Sequence, residues 1–271
     1  MQYNTLLIDG PYLAHRSFDA PYKLTTSQGF DATMIHTFIR SLNSFNNILK
    51  PDRIIITWES PRTPSWRRQL CSTYKPRGAR GALHPHYITQ LKDLQDLLYQ
   101  LKVKQYNSPN NEADDVLANY VEHHQDQNII IYTRDKDIMQ LINNKCHMFD
   151  GKQIVRIQDV ICKFDVKPDE LLDYLSIRGD KSDNIEGVEG YGPKKTVRAM
   201  ELGTLSNAFS KDEMSIINRN RKLITLNKFC SIRNIPTHKP ESSAEDILDK
   251  YELNALKEKL DEYKKLGDWQ S

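Results

Sequence analysis

Three short apolar runs, each ending at or near an acidic residue, constrain the fold of this chain more than any other feature. The runs are rich in β-branched residues and too short for core helices, so they predict strands buried on both faces. Segments of helical periodicity separate them, which indicates an α/β protein with a mainly parallel central sheet flanked by helices. The runs and their acids are Thr5–Ile8 with Asp9, Arg53–Trp58 with Glu59, and Asn128–Tyr132 with Asp135.

The sequence pattern changes near residue 165. Residues 1–165 carry the strand and helix alternation and predict an α/β core, which includes a long segment rich in Pro, Gly and Arg at about 60–85. From Val166 the pattern is all-helical, with a glycine-rich turn in the middle. We expect residues 166–271 to form a helical region whose charged tail packs back on the core.

Charge is balanced in sum but segregated along the chain. There are 38 Lys and Arg residues against 36 Asp and Glu residues, which gives a formal net charge of +2. No carboxylate lies between Glu59 and Asp93, or between Glu213 and Glu241, although both stretches carry several cations. Basic stretches beside acid clusters indicate a polyanion that is held and then acted on through metal ions. Ordinary solvated faces are the alternative.

Acidic residues cluster where an open parallel sheet binds its ligands, just beyond the carboxyl ends of the strands. Besides the three strand ends, acids open a predicted helix at Glu112–Asp115 and recur at Asp137, Asp180 and Asp183. So many neighbouring carboxylates repel one another and are stable together only when cations neutralise them. Oxygen ligands without His or Cys favour Mg²⁺ or Mn²⁺, and two such ions clamp the attacking and leaving oxygens of a phosphodiester.

Each acidic group taken alone also has a purely structural explanation. Acids in the first turn of a helix, as at Glu112–Asp115, stabilise the helix through its dipole. Asp135 and Asp137 suit an N-cap and first turn, and residues 179–184 suit a capped turn. The joint occurrence of the groups is what favours a metal site.

A glycine-rich turn at Gly187–Lys195 lies between two predicted helices. Its glycine order is not that of a dinucleotide-binding fingerprint, and no strand precedes it. A tight hairpin of this kind leaves backbone N–H groups and a helix N-terminus for phosphate, and Lys194 and Lys195 add positive charge. A plain helix–helix turn is the alternative.

Five ordered motifs together carry a resemblance to a known family. They are Leu7-Ile8-Asp9-Gly10 with Arg16, Trp66-Arg67-x-x-Leu70-x-x-x-Tyr74-Lys75, Glu112-Ala113-Asp114-Asp115, Thr133-x-Asp135-Lys136-Asp137, and Gly179-Asp180-x-x-Asp183-Asn184-Ile185-x-Gly187-Val188-x-Gly190-x-Gly192. With them the chain resembles the 5′-nuclease superfamily, which includes the 5′→3′ exonuclease domain of bacterial DNA polymerase I and the flap endonucleases of bacteriophages. The resemblance runs from about Thr5 to Thr196 and continues weakly through residues 227–236.

The resemblance implies a PIN-like 5′-nuclease core with a helical arch at about 60–85 and a helix-hairpin-helix (helix-three-turn-helix) region at about 169–203. It implies two divalent ions, Mg²⁺ or Mn²⁺, and a K⁺ ion at the hairpin. Lys75, Arg16 and Asp135 are the implied catalytic residues, with Lys75 at the scissile phosphate. The implied metal ligands are Asp9, Glu112, Asp114, Asp115, Asp135, Asp137, Asp180 and Asp183. The implied DNA contacts are Arg67, Arg68, Tyr74, Arg77, Arg80, Gly190, Gly192, Lys194 and Lys195.

The chain departs from the family pattern at several places, one of which is a spacing from Glu59 to the Trp66-Arg67 motif that is one residue longer. Glu59 stands where the family has Asp, and its side chain is one methylene longer. A direct contact with a metal ion and a contact through a water molecule are the two roles open to it. Asn110 replaces a Gly before the second acidic motif. Arg77 and Arg80 straddle the position of the arch arginine, and either of them suits that position.

The expected function is that of a divalent-metal-dependent 5′ nuclease with structure-specific flap endonuclease and 5′→3′ exonuclease activity on DNA, acting in replication or repair. A non-catalytic relative that binds branched DNA is one alternative, but a mere binder gains nothing from carboxylates facing phosphate. A PIN-type RNA nuclease is the other, but small PIN domains lack the glycine hairpin. The expected partners are DNA with a 5′ flap, branch or 5′ end, and an RNA/DNA hybrid.

Cysteine usage and hydropathy bear on the compartment. The four cysteines are scattered, without a C-x-x-C pair, and no apolar run approaches the ~18 residues of a membrane span. The first residues do not resemble a secretory signal, and no polymerase domain follows. We expect a monomeric, stand-alone enzyme of the bacterial or phage-infected host cytoplasm, without membrane association.

Overall fold

The computed structural model describes residues 2–60, 65–75, 84–202, 208–237 and 239–267. Within them a seven-stranded sheet has the order β6-β5-β4-β1-β2-β3-β9, and β7 and β8 form a separate two-stranded ribbon. The strands are β1 Thr5–Asp9, β2 Arg53–Trp58, β3 Lys104–Asn107, β4 Ile129–Tyr132, β5 Cys146–Phe149, β6 Ile154–Val155, β7 Gly179–Asp180, β8 Ile185–Glu186 and β9 Arg233–Asn234.

Helices alternate with the strands and dominate the second half of the chain. The α-helices in the described residues are α1 Gly10–Phe18, α2 Thr33–Leu49, α3 Trp66–Leu70, α4 Pro85–Gln100, α5 Ala113–His123, α6 Ile157–Phe164, α7 Leu171–Arg178, α8 Pro193–Glu201, α9 Lys211–Ile224, α10 Ala244–Lys250, α11 Asn254–Lys257 and α12 Leu260–Lys264. Short 3₁₀ turns lie at Asp137–Leu141, Pro168–Glu170 and Lys181–Asp183. None of the helices in these ranges has the length and apolar character needed to cross a bilayer.

The centre of the sheet is parallel, as the apolar runs predict. β1 pairs in parallel with β2 and β4, and the same direction continues outward through β3 and β5. The edge strands β6 and β9 run antiparallel. The expected α/β class with a mainly parallel sheet is therefore confirmed.

Burial on both faces explains why the strand sequences do not alternate between apolar and polar. Leu6 and Ile8 of β1 face one core cluster, together with Phe38 of α2 and Leu248 of the C-terminal tail. Leu7, between them, faces a second cluster with residues of α5 such as Leu117. Full burial of such side chains contributes about 1.5–3 kcal/mol each. Because helices cover both faces, the strand ends at the rim become the place for polar side chains.

Three parts of the fold differ from the expectation or were absent from it. β3 and β5 extend the parallel sheet, but their sequences lack a continuous apolar run. The all-helical pattern from Val166 is wrong at the β7–β8 ribbon and at β9, which returns to the sheet edge beside β3.

The helices of the tail pack on the same core cluster as α2 and α4. The division of the chain at residue 165 stays a prediction.

Candidate metal centre at the carboxyl edge of the sheet

Asp9 ends β1 at the middle of the sheet and caps α1. One carboxylate oxygen accepts a hydrogen bond from the Tyr12 amide at 3.0 Å, and the other accepts from the Thr133 hydroxyl at 2.8 Å. The next residue must be small, because a Cβ on Gly10 would lie 2.5 Å from the Thr57 carbonyl oxygen. Burial of Asp9, together with the charges of Asp135 and Glu59, raises its pKa to about 6 despite the two hydrogen bonds.

The turn after β4 presents Asp135 and Asp137. The Asp135 carboxylate accepts from the Asp137 amide at 2.9 Å, which holds the two acids on one turn. Asp137 is only 8% exposed, and its Oδ1 atom has no hydrogen-bond partner among the described residues. Burial, with the nearby charges of Asp135 and Asp180, raises the pKa of Asp137 to about 8.

The β7–β8 ribbon presents Asp180 and Asp183 to the same place. Carboxylate oxygens of Asp137, Asp180 and Asp183 lie within 4.8 Å of one another. Burial alone would raise the pKa of Asp180, but the hydrogen bond and charge of Lys136, 2.6 Å away, bring it below its usual value. Burial raises the pKa of Asp183. The ribbon thus adds two carboxylates to the rim from outside the main sheet.

The N-terminus of α5 supplies Glu112 and Asp114. Lys75 donates from Nζ to Oε2 of Glu112 at 2.9 Å and lies 3.3 Å from Oδ2 of Asp183, so one ammonium joins two acidic groups. Burial tends to raise the pKa of Glu112, but the charges of Lys75 and Arg67 hold it below its usual value. The charge of Lys75 lowers the pKa of Asp114 as well, but burial with the charges of Asp135 and Asp9 outweighs it and raises that pKa well above the usual range.

This donor set fits hard divalent cations. Seven carboxylates converge at the rim, three of them have strongly raised pKa values, and one buried oxygen has no partner among the described residues. These are the properties of a site completed by positive charge, and carboxylate oxygens suit hard divalent cations. The seven are Asp9, Glu112, Asp114, Asp135, Asp137, Asp180 and Asp183, and we call them the acid cluster.

Arg67 forms a buried ion pair with Asp115. Both Asp115 oxygens accept from Arg67, at 2.7 and 2.8 Å, and they also accept from the amides of Glu112 and Asn227. Asp115 is fully buried, and these donors hold its carboxylate at the first turn of α5. Arg67 is 2% exposed and also donates to the Leu223 carbonyl, which leaves it inaccessible to DNA.

Tyr74 is likewise not a surface DNA contact. It is 3% exposed, and its hydroxyl donates to Oε2 of Glu112 at 3.1 Å and lies 3.3 Å from Oδ2 of Asp183. Arg68 is half-buried, and its guanidinium donates to the Lys75 carbonyl at 2.7 Å. α3 and the residues after it therefore anchor the start of the predicted arch to the acid cluster. Residues 61–64 and 76–83 of that segment, with Arg77 and Arg80, lie outside the described residues.

Two further predicted residues lie at the margin of the acid cluster. Glu59 follows β2, is exposed, and is close enough for its charge to raise the Asp9 pKa. Arg16 is exposed on α1, and its guanidinium donates to the hydroxyl of Tyr132, the last residue of β4.

The glycine turn lies between α7 and α8. Gly190 has a φ of +77°, a conformation that favours glycine, whereas a Cβ at Gly192 would meet nothing within 4 Å. Gly192 precedes α8 without a side chain to cap it, and Lys194 and Lys195 are exposed in the first turn. The ammonium of Lys195 lies 3.9 Å from the centroid of the Tyr191 ring.

The roles of several members of the site do not follow from the sequence. Thr133 and Lys136 belong to one of the five motifs, but only the structure shows that Thr133 orients Asp9 and that Lys136 pairs with Asp180. The family resemblance implies a different role for Tyr74, that of a DNA contact. Only the folded arrangement of α3, α5 and the β7–β8 ribbon brings these residues together.

Comparison with known proteins yields a match in family, sequence and fold. Residues 4–165 match the model of the 5′-3′ exonuclease N-terminal, resolvase-like domain. A 5′-3′ exonuclease of Aquifex aeolicus is 29% identical over 272 residues, which cover 94% of this chain and 90% of that protein. A 5′-3′ exonuclease of Mycoplasmopsis pulmonis is 32% identical over 193 residues, which cover 70% of this chain and 63% of that protein. The bacteriophage T5 D15 flap endonuclease, solved as a complex with DNA and metal ions, superposes with a TM-score of 0.68 at 17% identity, over 97% of this chain and 99% of that one.

Proposed function

The chain belongs to the 5′-3′ exonuclease family, and from this membership we propose that it is a divalent-metal-dependent 5′ nuclease that hydrolyses phosphodiester bonds of DNA in replication or repair. The observation that carries the proposal is the acid cluster at the carboxyl edge of the sheet. Buried carboxylates with raised pKa values are costly to hold together, and a binding protein for a polyanion would gain nothing from them.

Two divalent ions, Mg²⁺ or Mn²⁺, fit the acid cluster. Asp137, Asp180 and Asp183, whose oxygens lie within 4.8 Å of one another, would hold one ion. Asp114 would hold the second together with Asp9 and Asp135, whose charges both raise the pKa of Asp114. Bound there, such ions would supply charge neutralisation of the phosphodiester and a nucleophilic water of lowered pKa.

The chain's own cations complete the chemistry. Lys75 reaches the acid cluster from the base of the predicted arch, where its ammonium would face the scissile phosphate and stabilise charge that develops there. Arg16, fixed by Tyr132 at the margin of the cluster, would orient the phosphate. Thr133 and the Tyr12 amide hold the Asp9 carboxylate in a single orientation.

Substrate selection is assigned to the glycine turn. The exposed Lys194 and Lys195 at the N-terminus of α8 suit the phosphates of a duplex, and a K⁺ ion is expected at the same turn. The proposed substrates are DNA with a 5′ flap, branch or 5′ end, and an RNA/DNA hybrid, bound by a monomer. The complex of the T5 enzyme with DNA supports this choice at the level of the fold.

The test is cleavage of a 5′-labelled flap substrate in Mg²⁺, with EDTA as the metal-free control. We expect a short labelled product released near the junction in Mg²⁺, and none in EDTA. A single strand and a blunt duplex of the same sequence measure structure specificity. The proposal would be overturned if RNA and DNA strands were cleaved equally well whether or not they carry a branch. It would also be overturned if no substrate were cleaved in Mg²⁺ or Mn²⁺.

A further inference from the structure

An open groove lies between α3 and α9, outside the acid cluster. Its volume is about 630 Å³, and we call it the α9 groove. Leu70 at the end of α3 forms one wall, and residues of α9 form the other. Five of its lining residues, Met214, Ser215, Asn218, Arg219 and Lys222, come from the second acid-free stretch of the sequence.

The polar lining of the α9 groove is positively charged. Lys211, Arg219 and Lys222 line it, and no carboxylate is among the lining residues. All three cations are exposed. The guanidinium of Arg219 donates to the Glu186 carbonyl at 3.2 Å and to the Asn220 side chain at 3.0 Å, so this charge is held at a fixed place. Such a surface attracts phosphates.

The apolar lining selects the form of nucleic acid. The Leu70 side chain is 50% exposed and Met214 is half-buried beside it, while Phe209 lies beneath with only 7% exposure. A duplex presents sugars and phosphates and hides its bases, so it gains little from exposed apolar side chains. A single strand presents base faces together with its phosphates, and both find partners here.

Both walls of the groove are connected to the acid cluster. Leu70 precedes Lys75 by five residues, and the residues between them anchor the arch base to Glu112 and Asp183. On the other wall, Arg219 bonds to Glu186, which lies in the ribbon that carries Asp180. The groove is therefore built on elements that also contact or carry residues of the acid cluster.

We infer that the α9 groove binds the single-stranded 5′ arm of a branched substrate. This inference rests on the proposed function, because it assigns a path to one part of the proposed substrate. The groove would add affinity for long arms through phosphate contacts and base packing, without taking part in the hydrolysis.

The test is binding of the double variant Lys211→Ala/Lys222→Ala, which leaves the Arg219 hydrogen bonds in place. Affinity is measured by fluorescence anisotropy in EDTA on two forks with the same junction, one with a long oligothymidine 5′ arm and one with an arm of two nucleotides. We expect the variant to bind the long-arm fork about tenfold more weakly, with the salt slope reduced by about 0.7 for each lysine. Binding of the short-arm fork should be unchanged.

The matched control is Lys92→Ala/Lys259→Ala, which removes the same charge from exposed lysines outside the groove. It should affect neither fork. An equal loss on both forks in the groove variant would mean that the groove holds duplex, and no loss on either would mean that it holds no nucleic acid; both results overturn the inference. Cleavage of the short-arm fork by the unmodified protein in Mg²⁺ tests the proposed function separately, so its failure is distinguishable from failure of the groove.

Discussion

The ammonium of Lys75 lies 2.9 Å from Oε2 of Glu112, inside the acid cluster, and 3.3 Å from Oδ2 of Asp183. Lys75 also donates its backbone amide to the Asp183 carbonyl and has a positive φ of 40°. A residue expected at the scissile phosphate thus neutralises carboxylates in the absence of substrate. Lys75 and a divalent cation therefore compete for the same oxygens.

Replacing Lys75 should separate these two roles. In Lys75→Ala, metal binding without DNA should become tighter, because the competing ammonium is gone, and titration calorimetry with Mg²⁺ measures this. Single-turnover cleavage of bound flap DNA should fall by about 10²–10³-fold, since stabilisation of the reacting phosphate is lost. Lys92→Ala is the surface control. Weaker metal binding, or equal losses in rate and in DNA affinity, would mean that Lys75 is an electrostatic anchor only.

The raised carboxyl pKa values predict an unusual pH dependence of stability without metal. Asp137 has a folded-state pKa of about 8, above the ordinary unfolded value, so the folded protein binds more protons and loses stability as pH rises toward 8. The pKa values of His36 and His147 are lowered, so these two residues add stability as the pH rises through the ordinary histidine pKa of about 6.5. That increase in stability is complete by about pH 7. Between pH 7 and 9 in EDTA, the melting temperature should therefore decrease, and Mg²⁺ should suppress the decrease.

Asp137→Asn is the control for this pH dependence. It removes the titrating group, so its melting temperature in EDTA should decrease less over the same range. A melting temperature of the unmodified protein that stays constant or rises from pH 7 to 9 would refute the assignment of a buried, protonated carboxyl at this position.

Arg67 is predicted to act through stability. Arg67→Ala leaves Asp115 buried without its partner, which should cost about 3–5 kcal/mol in urea unfolding. The double variant Arg67→Met/Asp115→Leu removes both charges and should be more stable than Arg67→Ala alone. If Arg67→Ala instead unfolds like the unmodified protein but binds DNA more weakly, Arg67 is the DNA-binding residue that the sequence pattern predicts.

Much of the fold can be predicted from the sequence, because strands buried on both faces, such as β1, β2 and β4, have continuous apolar runs. The convergence of Asp9, Asp135 and Asp137 follows in the same way, since the ends of neighbouring parallel strands meet at one rim. The roles of Asp115 and Arg67 do not follow. They depend on the packing of α3 against α5 and on the carbonyl groups at the C-terminal end of α9, which no local pattern records. Similarly, β9 has only two residues, and its place at the sheet edge is set by tertiary contacts.

Lys194 and Lys195 are predicted to hold duplex DNA without taking part in hydrolysis. Replacing both by Ala should weaken duplex and flap binding and reduce the salt slope by about 0.9 for each phosphate that the variant no longer neutralises. Turnover at saturating substrate and binding of a short single strand should change little. Loss of saturated turnover with binding preserved would instead place the glycine turn in the catalytic centre.

The most direct test of the metal centre is the effect of Asp135→Asn on flap cleavage in Mg²⁺, with binding of the same DNA measured in EDTA. The change keeps the size of the side chain and removes one metal-binding charge, and the same change at the exposed Asp169 is the control. We expect Asp135→Asn to abolish cleavage while DNA binds as well as before or more tightly, because a repulsive charge is gone. Near-normal turnover of Asp135→Asn in Mg²⁺ would contradict this expectation.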